Sequence, residues 1–424
     1  MTWIQRYKLR NYIRNSVWIL PVLAIVAAML AVNGLHWVEA RAGWKSDFDP
    51  AAALALFGTL AGAMFTFIVF LSSSLLLVVQ LASAQLTPRI VGLVFRQRVT
   101  RFALTLFTFT FAFTLGVLVR IHGSVPAVTA QLAAYLCLIS IGTFLVLIDR
   151  LGKLLRPSGA LRAVGRRGHE VIQSVYPRRL SQQPAVSQSS VKTTGGEAVG
   201  TVSSPNDGVL LAFDQEGLVA LAQKTGCVVE LLPQVGDLVA AGSPLFRIFG
   251  CKDGPSASAL CQSVALGQER TMEQDPAFAF RIMVDIASKA LSPAINDPTT
   301  AVLAIDQIHH LLRSVGGRHL DEGLAHDGSG AVRLVYRTPD WEDFVHLAVT
   351  EIRQFGGTSI QVARRLRAML DNLAEVLPPE RTALLRDELT LLHRSARRCF
   401  PEPEDQALAD SSDLQGVGGN TSKA

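Results

Sequence analysis

The sequence predicts an α-helical membrane protein with four transmembrane helices and a cytoplasmic α+β region, in which a small β-rich module is followed by a helical domain. Four long apolar stretches fill the N-terminal third. Cations between these stretches fall on alternate sides. Short β-prone runs and then amphipathic helical patterns follow.

The apolar stretches run from about Val17 to Val38, Ala51 to Ala84, Phe102 to Ile121 and Val125 to Ile148. Each supplies the ~20 residues that carry a helix across ~30 Å of hydrocarbon. A helix is required because no water is present to satisfy the backbone. Arg6, Lys8, Arg10 and Arg14 precede the first stretch, Arg89, Arg96, Arg98 and Arg101 separate the second from the third, and Arg150, Lys153, Arg156, Arg162, Arg166 and Arg167 follow the fourth. The opposite loops are poor in cations, with Arg41 and Lys45 offset by Glu39, Asp47 and Asp49. The positive-inside rule then predicts a multi-pass protein of the cell (inner) membrane with both termini cytoplasmic. The first stretch is too long for a cleaved signal peptide and lacks a small-x-small cleavage site.

Apolar residues make up 49% of the chain, while the mean hydropathy is only moderately positive. That balance fits a chain divided between lipid and water. The net charge of +5 is concentrated beside the membrane, so the expected partners are the bilayer, including its anionic lipids on the cytoplasmic side, and further copies of the same chain. Nucleic acid is not expected, because no basic face is interleaved with aromatics. The five cysteines (137, 227, 251, 261 and 399) lack C-x-x-C spacing. Four are predicted cytosolic, so neither a disulfide nor a zinc site is expected.

The second stretch is unusual. It continues to about Gln85, longer than the bilayer core requires. Thr59, Thr66, Ser73, Gln80 and Thr87 recur every seven residues and fall on one helix stripe. Gly58 and Gly62 form a G-x-x-x-G, and Ser72, Ser73 and Ser74 add a polar belt. The stripe reads either as a helix-packing surface or as the lining of a water-filled path made by several copies.

Beyond the bundle (1–150), a cationic amphipathic juxtamembrane helix (151–180) is expected along the membrane surface or descending from the bundle. A flexible linker (181–200), a β-rich module (201–255), a mainly helical domain (256–400) and a disordered tail (401–424) complete the chain. Val235–Ile248 (VGDLVAAGSPLFRI) resembles the turn of hammerhead or barrel-sandwich domains, which biotinyl and lipoyl carriers share. Lys224 in LAQKTG does not match their attachment site, so no cofactor is expected. In the helical domain, Asp275-Pro276 and Asp297-Pro298 read as N-caps with proline at the first helical position. Ser292-Pro293 ends the intervening helix. Arg270, Asp275, Arg281, Asp285, Asn296, Asp297 and Thr299 form a polar set beside two helix N-termini, as a structural ion-pair network or a ligand site. His309-His310 is not a metal pair, since adjacent helical positions diverge.

These segments resemble a family of predicted bacterial integral membrane proteins classed as domain-of-unknown-function family 2254. The resemblance rests on Leu75–Ile90 (LLLVVQLASAQLTPRI), the VGDLVAAGSPL segment, Arg270–Pro276 (RTMEQDP) and Ser292–Val302 (SPAINDPTTAV), and spans about Arg6 to Leu392. Ala294 stands where the family pattern has Gly, and Asp207-Gly208 where it has Ser-Gly. The resemblance implies four spans and a cytoplasmic C-terminal region, with no assigned reaction, substrate or ligand. Three functions remain open: an oligomeric channel or permeation protein with a cytoplasmic regulatory domain, a membrane-anchored sensor or scaffold, and a membrane enzyme. The last ranks lowest, because no nucleophile–base pair, metal motif or phosphate loop is present and no catalytic residue can be named.

Overall fold

The computed structural model describes residues 2–46, 48–90, 98–121, 125–154, 156–180 and 198–419. Arg96, Leu155 and nearly all of the expected linker lie outside the described residues. Two compact units result, Arg10–Ala160 and Met1–Leu9 with Leu161–Ala424. Helix α1 (Trp3–Asn15) crosses the boundary between them.

The first unit contains α2 (Ile19–Ala42), α3 (Pro50–Gln85), α4 (Arg98–Leu118) and α5 (Ala127–Leu154). All four are long and apolar enough to cross a membrane. α4 packs against each of the other three, and 44% of its apolar stretch is buried, against 22% in the others. Its sequence explains the central place. Thr110 and Thr114 are fully buried. The Thr110 hydroxyl meets the Ser140 hydroxyl of α5 at 3.1 Å, and Thr114 donates to the Thr110 carbonyl at 2.7 Å. The Thr110–Ser140 contact crosses between helices, and such contacts help hold membrane helices together where lipid supplies no hydrophobic drive, whereas Thr114 is satisfied within its own helix. At Gly116 a Cβ would lie 3.1 Å from Val32 Cγ2, so the glycine sets how closely α2 and α4 approach.

Glu39, expected in the sequence as a loop acid, is buried instead. Its carboxylate accepts from Val128 N at 2.5 Å and Thr129 N at 2.8 Å, and from the Thr129 hydroxyl. A carboxylate from α2 thereby caps the N-terminus of α5. Short strands β1 (Lys45–Ser46) and β2 (Val125–Pro126) pair antiparallel nearby.

In the second unit, which α6 (Pro157–Val175) enters at Leu161, that helix buries Leu161, Val164, Val171 and Ile172. His169 Nδ1 lies 3.0 Å from Ser314 Oγ, and Arg318 donates to the Tyr176 carbonyl at 2.6 Å. The apolar face of α6 is thus spent on the unit's own core. Strands β3 (Gly200–Ser203), β4 (Gly208–Phe213), β5 (Val228–Leu231), β6 (Leu238–Val239) and β7 (Pro244–Phe249) occupy the expected β-prone runs. α7 (Gln215–Thr225) interrupts them.

The module does not close at residue 255. After α8 (Ala257–Cys261), β8 (Val264–Gly267) joins a three-stranded sheet of order β6-β4-β8. β9 (Leu324–His326) and β10 (Val332–Tyr336) complete a five-stranded sheet of order β3-β7-β5-β10-β9. β10 pairs parallel with β5 and antiparallel with β9. Residues from both sides of 255 share one apolar core, including Val229, Leu231, Phe246, Leu260, Ala325 and Leu334. The helices are α9 (Pro276–Ala290), α10 (Pro298–Gly316), α11 (Trp341–Phe355), α12 (Ile360–Val376), α13 (Pro379–Cys399) and α14 (Pro403–Ala409).

The tail is also corrected, because residues 401–419 are folded. The buried Asp413 carboxylate accepts from the backbone N–H of Gln415, Gly416 and Gly418 at 3.0, 2.9 and 2.7 Å. Burial pushes its carboxyl up, but these bonds and Arg364 outweigh it and hold it below the ordinary value. The buried Arg364 donates to the carbonyls of Gly418 at 3.1 Å and Gly419 at 2.8 Å. The Gly- and Ser-rich composition that suggests disorder supplies the tight turns and free carbonyls this docking uses.

Cys227 and Cys251 are disulfide-bonded, with Cα atoms 5.1 Å apart, against the expectation of free thiols. Their separation of 24 residues hides the reason. β5 and β7 are antiparallel neighbours with Val228 opposite Phe249, so the residues flanking that pair converge. Closing such a loop contributes about 3 kcal/mol by the chain-entropy relation. Cys227→Ser in the full chain should therefore lower the melting temperature by about 5–10 °C, and reduction should act on the parent protein but not on the variant. Equal melting of both, with both thiols alkylated before reduction, would contradict the bond.

Candidate functional site

The polar set of the helical domain divides into separate groups. Arg270 joins the buried Asp275 through its Nε. The other carboxylate oxygen of Asp275 accepts from Phe278 N at 3.0 Å, capping α9 as the Asp-Pro spacing predicts. Burial pushes the Asp275 carboxyl up, while Arg270 and the N–H groups of Phe278 and Ala277 pull against it. The guanidinium also lies over Gly236, whose φ of +99° suits glycine and where a Cβ would sit 2.5 Å from Arg270 Cζ. Gln274 reaches the other sheet, taking a bond from Phe213 N at 3.0 Å and donating to Phe213 O at 3.3 Å. RTMEQDP is thus a clasp that ties α9, strand β4 and the Val-Gly-Asp turn together.

Arg281 and Asp285 pair at 2.7 Å on one face of α9. Their third partner is Glu351 of α11, whose two oxygens take both terminal nitrogens of Arg281, at 2.5 and 2.7 Å. Glu351 raises the Arg281 guanidinium above its ordinary value more than any other group does. Sequence reasoning missed Glu351, because it lies 70 residues away and only the packing of α9 on α11 joins them. Asp297 caps α10, accepting from Thr300 N at 3.0 Å and from the Thr300 hydroxyl at 2.5 Å. Asn296 adopts a positive φ of 48° in the turn before it. Asn296 and Thr299 are exposed. The carboxylates of Asp275, Asp285 and Asp297 and the guanidinium groups of Arg270 and Arg281 are therefore engaged with groups of the fold itself. His309 likewise meets Asn372 at 2.9 Å, and Lys224 stands exposed in the last turn of α7.

The stripe on α3 behaves differently. Ala53, Phe57, Ala61, Met64, Leu71, Leu75, Val78 and Ala82 are buried and form the face that packs within the bundle. Thr59, Thr66, Ser73 and Gln80 each stand two residues beyond Phe57, Met64, Leu71 and Val78. At about 100° per residue they lie on the opposite side. All four are exposed. Thr59 and Thr66 donate to the carbonyls of Ala55 and Gly62, each at 2.9 Å. At Gly58 and Gly62 a Cβ would meet nothing within 4 Å, so this face is open. Thr87 does not belong to the stripe. α3 ends at Gln85, and Thr87 is buried in the following turn, where its hydroxyl accepts from Arg89 N at 3.4 Å.

The clasp gives a direct test. Asp275→Ala removes the cap and strands Arg270, and should destabilise the protein by about 3 kcal/mol in denaturant unfolding. Thr299→Ala should stay within about 0.5 kcal/mol. Equal effects would show that the clasp carries no stability.

The family described as predicted membrane protein (DUF2254) matches residues 14–372. An uncharacterised protein of Mycobacterium tuberculosis is 25% identical over 422 residues, covering 95% of this chain and 80% of the relative. An uncharacterised protein of Mycobacterium bovis matches to the same extent. No solved structure matches. With its four apolar helices and a family match over most of its length, the chain belongs to the DUF2254 family of predicted membrane proteins.

Proposed function

We propose that the protein is a homo-oligomeric permeation protein of the cell membrane. Its α3 helices line a shared path, and both termini lie in the cytoplasm with the α/β unit regulating the path. One observation carries this reading. The Thr59, Thr66, Ser73 and Gln80 stripe lies opposite the face that α3 buries in its own bundle. Such a stripe is poorly placed against lipid, and facing other copies gives it polar surroundings. Hydroxyls already bonded to their own helix carbonyls still present oxygen lone pairs to a hydrated path. The alternation of cations between loops supports the assigned sidedness, while the Cys227–Cys251 bond, unusual for a cytosolic domain, weighs against it.

A membrane-anchored sensor or scaffold stands second. The residues that suggested a ligand site, Arg270, Asp275, Arg281, Asp285 and Asp297, have their charged groups engaged within the fold.

Purified full-length protein reconstituted in planar bilayers should conduct under voltage, tension or both. Thr66→Leu and Ser73→Leu should each reduce the unit conductance by about twofold or more by narrowing and drying the path, while Phe65→Leu leaves it unchanged. Silent bilayers under both stimuli, with protein shown to be inserted, would overturn the reading.

A further inference from the structure

We propose that helix α1 is a lipid-binding interfacial helix, lying in the headgroup layer of the bilayer that the next helix enters and recognising its anionic lipids. The inference does not depend on permeation. It rests on the distribution of residues around Trp3–Asn15. Successive side chains turn by about 100°, which divides the helix into two dissimilar faces.

The first face is taken by protein. Tyr7 is buried, Trp3 stacks on it with ring centroids 5.2 Å apart, and both pack with Leu211, Ala212 and Ala265 of β4 and β8. Among the described residues, the second face has no such cover. Leu9, Tyr12 and Ile13 lie together on it and are 47%, 56% and 45% exposed. Arg6 and Arg10 line one flank of this apolar strip and Lys8 lines the other, all exposed. An apolar strip between two cationic flanks is the pattern of a helix at the acyl–headgroup boundary. The strip enters the boundary, and the cations reach out to phosphate.

Chain continuity selects the bilayer as the occupant. α1 ends at Asn15, and the apolar helix α2 begins at Ile19. A link this short keeps α1 at the membrane surface. Trp18, 57% exposed at the start of α2, is the residue type that favours that depth.

The test is hydrogen–deuterium exchange of the full-length protein in nanodiscs of phosphatidylcholine alone or with phosphatidylglycerol. Peptides from 3–15 should exchange at least about fivefold more slowly with phosphatidylglycerol, the factor one cation contributes at an anionic surface. The difference should shrink in high salt. It should vanish in the Arg6→Glu, Lys8→Glu, Arg10→Glu variant, with peptides from 276–316 unchanged as an internal reference. Leu9→Ser with Ile13→Ser should speed exchange in both lipids. Equal exchange of the parent protein in the two lipids would overturn the proposal. So would equal slowing by free glycerol phosphate in phosphatidylcholine discs, because the recognised group would then not be the bilayer surface.

Discussion

Among helices dissolved in hydrocarbon, hiding an apolar face yields little, since lipid tails are as apolar as leucine. What a span hides is decided by close packing and by polar atoms that need partners. The bundle follows that constraint. α4 carries Thr110, Thr114 and Gly116, and it sits at the centre, with its hydroxyls bonded and its glycine against Val32. Glu39 obeys the same logic at the other end of α2, where its carboxylate satisfies donors at the start of α5. On α3, Gly58, Thr59, Gly62, Thr66 and Ser73 are turned away from the bundle, while Ala53, Ala61 and Ala82 face it. The permeation reading gives the outward stripe a polar surrounding made of further copies.

The second unit is built differently. Apolar stripes of α9, α10, α11 and α12 are buried almost completely, and charged residues act at the seams. The Arg270–Asp275 clasp, the Arg281–Asp285–Glu351 group and the Arg364 contacts with the tail each join elements distant in sequence. Removing one partner from such a seam leaves a partly buried charge uncompensated.

Much of this was legible in the sequence, because the signals were local. Length and hydropathy locate the spans. Asp-Pro pairs locate the starts of α9 and α10, and β-branched runs between Gly and Asp locate β3 to β7. What escaped was non-local. No pattern within 256–400 says that β10 will pair in parallel with β5, and that pairing makes one α/β unit of the expected module and helical domain. The Cys227–Cys251 bond follows from the register of β5 on β7, which spacing in sequence does not carry. Thr87 kept the seven-residue rhythm but fell past the end of α3, since periodicity does not mark where a helix stops. Glu351 and Asp413 matter only because a distant helix or turn comes to them.

The orientation of α3 is most directly tested by cross-linking in native membranes. Thr66 and Phe65 lie at the same depth of the helix but about 100° apart. Thr66→Cys, treated with a thiol oxidant, should yield a covalent dimer of the full chain, and Phe65→Cys should yield little beyond the parent protein. Failure of Thr66→Cys to cross-link, together with its ready labelling by a lipid-dissolved thiol reagent, would place the stripe against lipid and contradict a shared polar path.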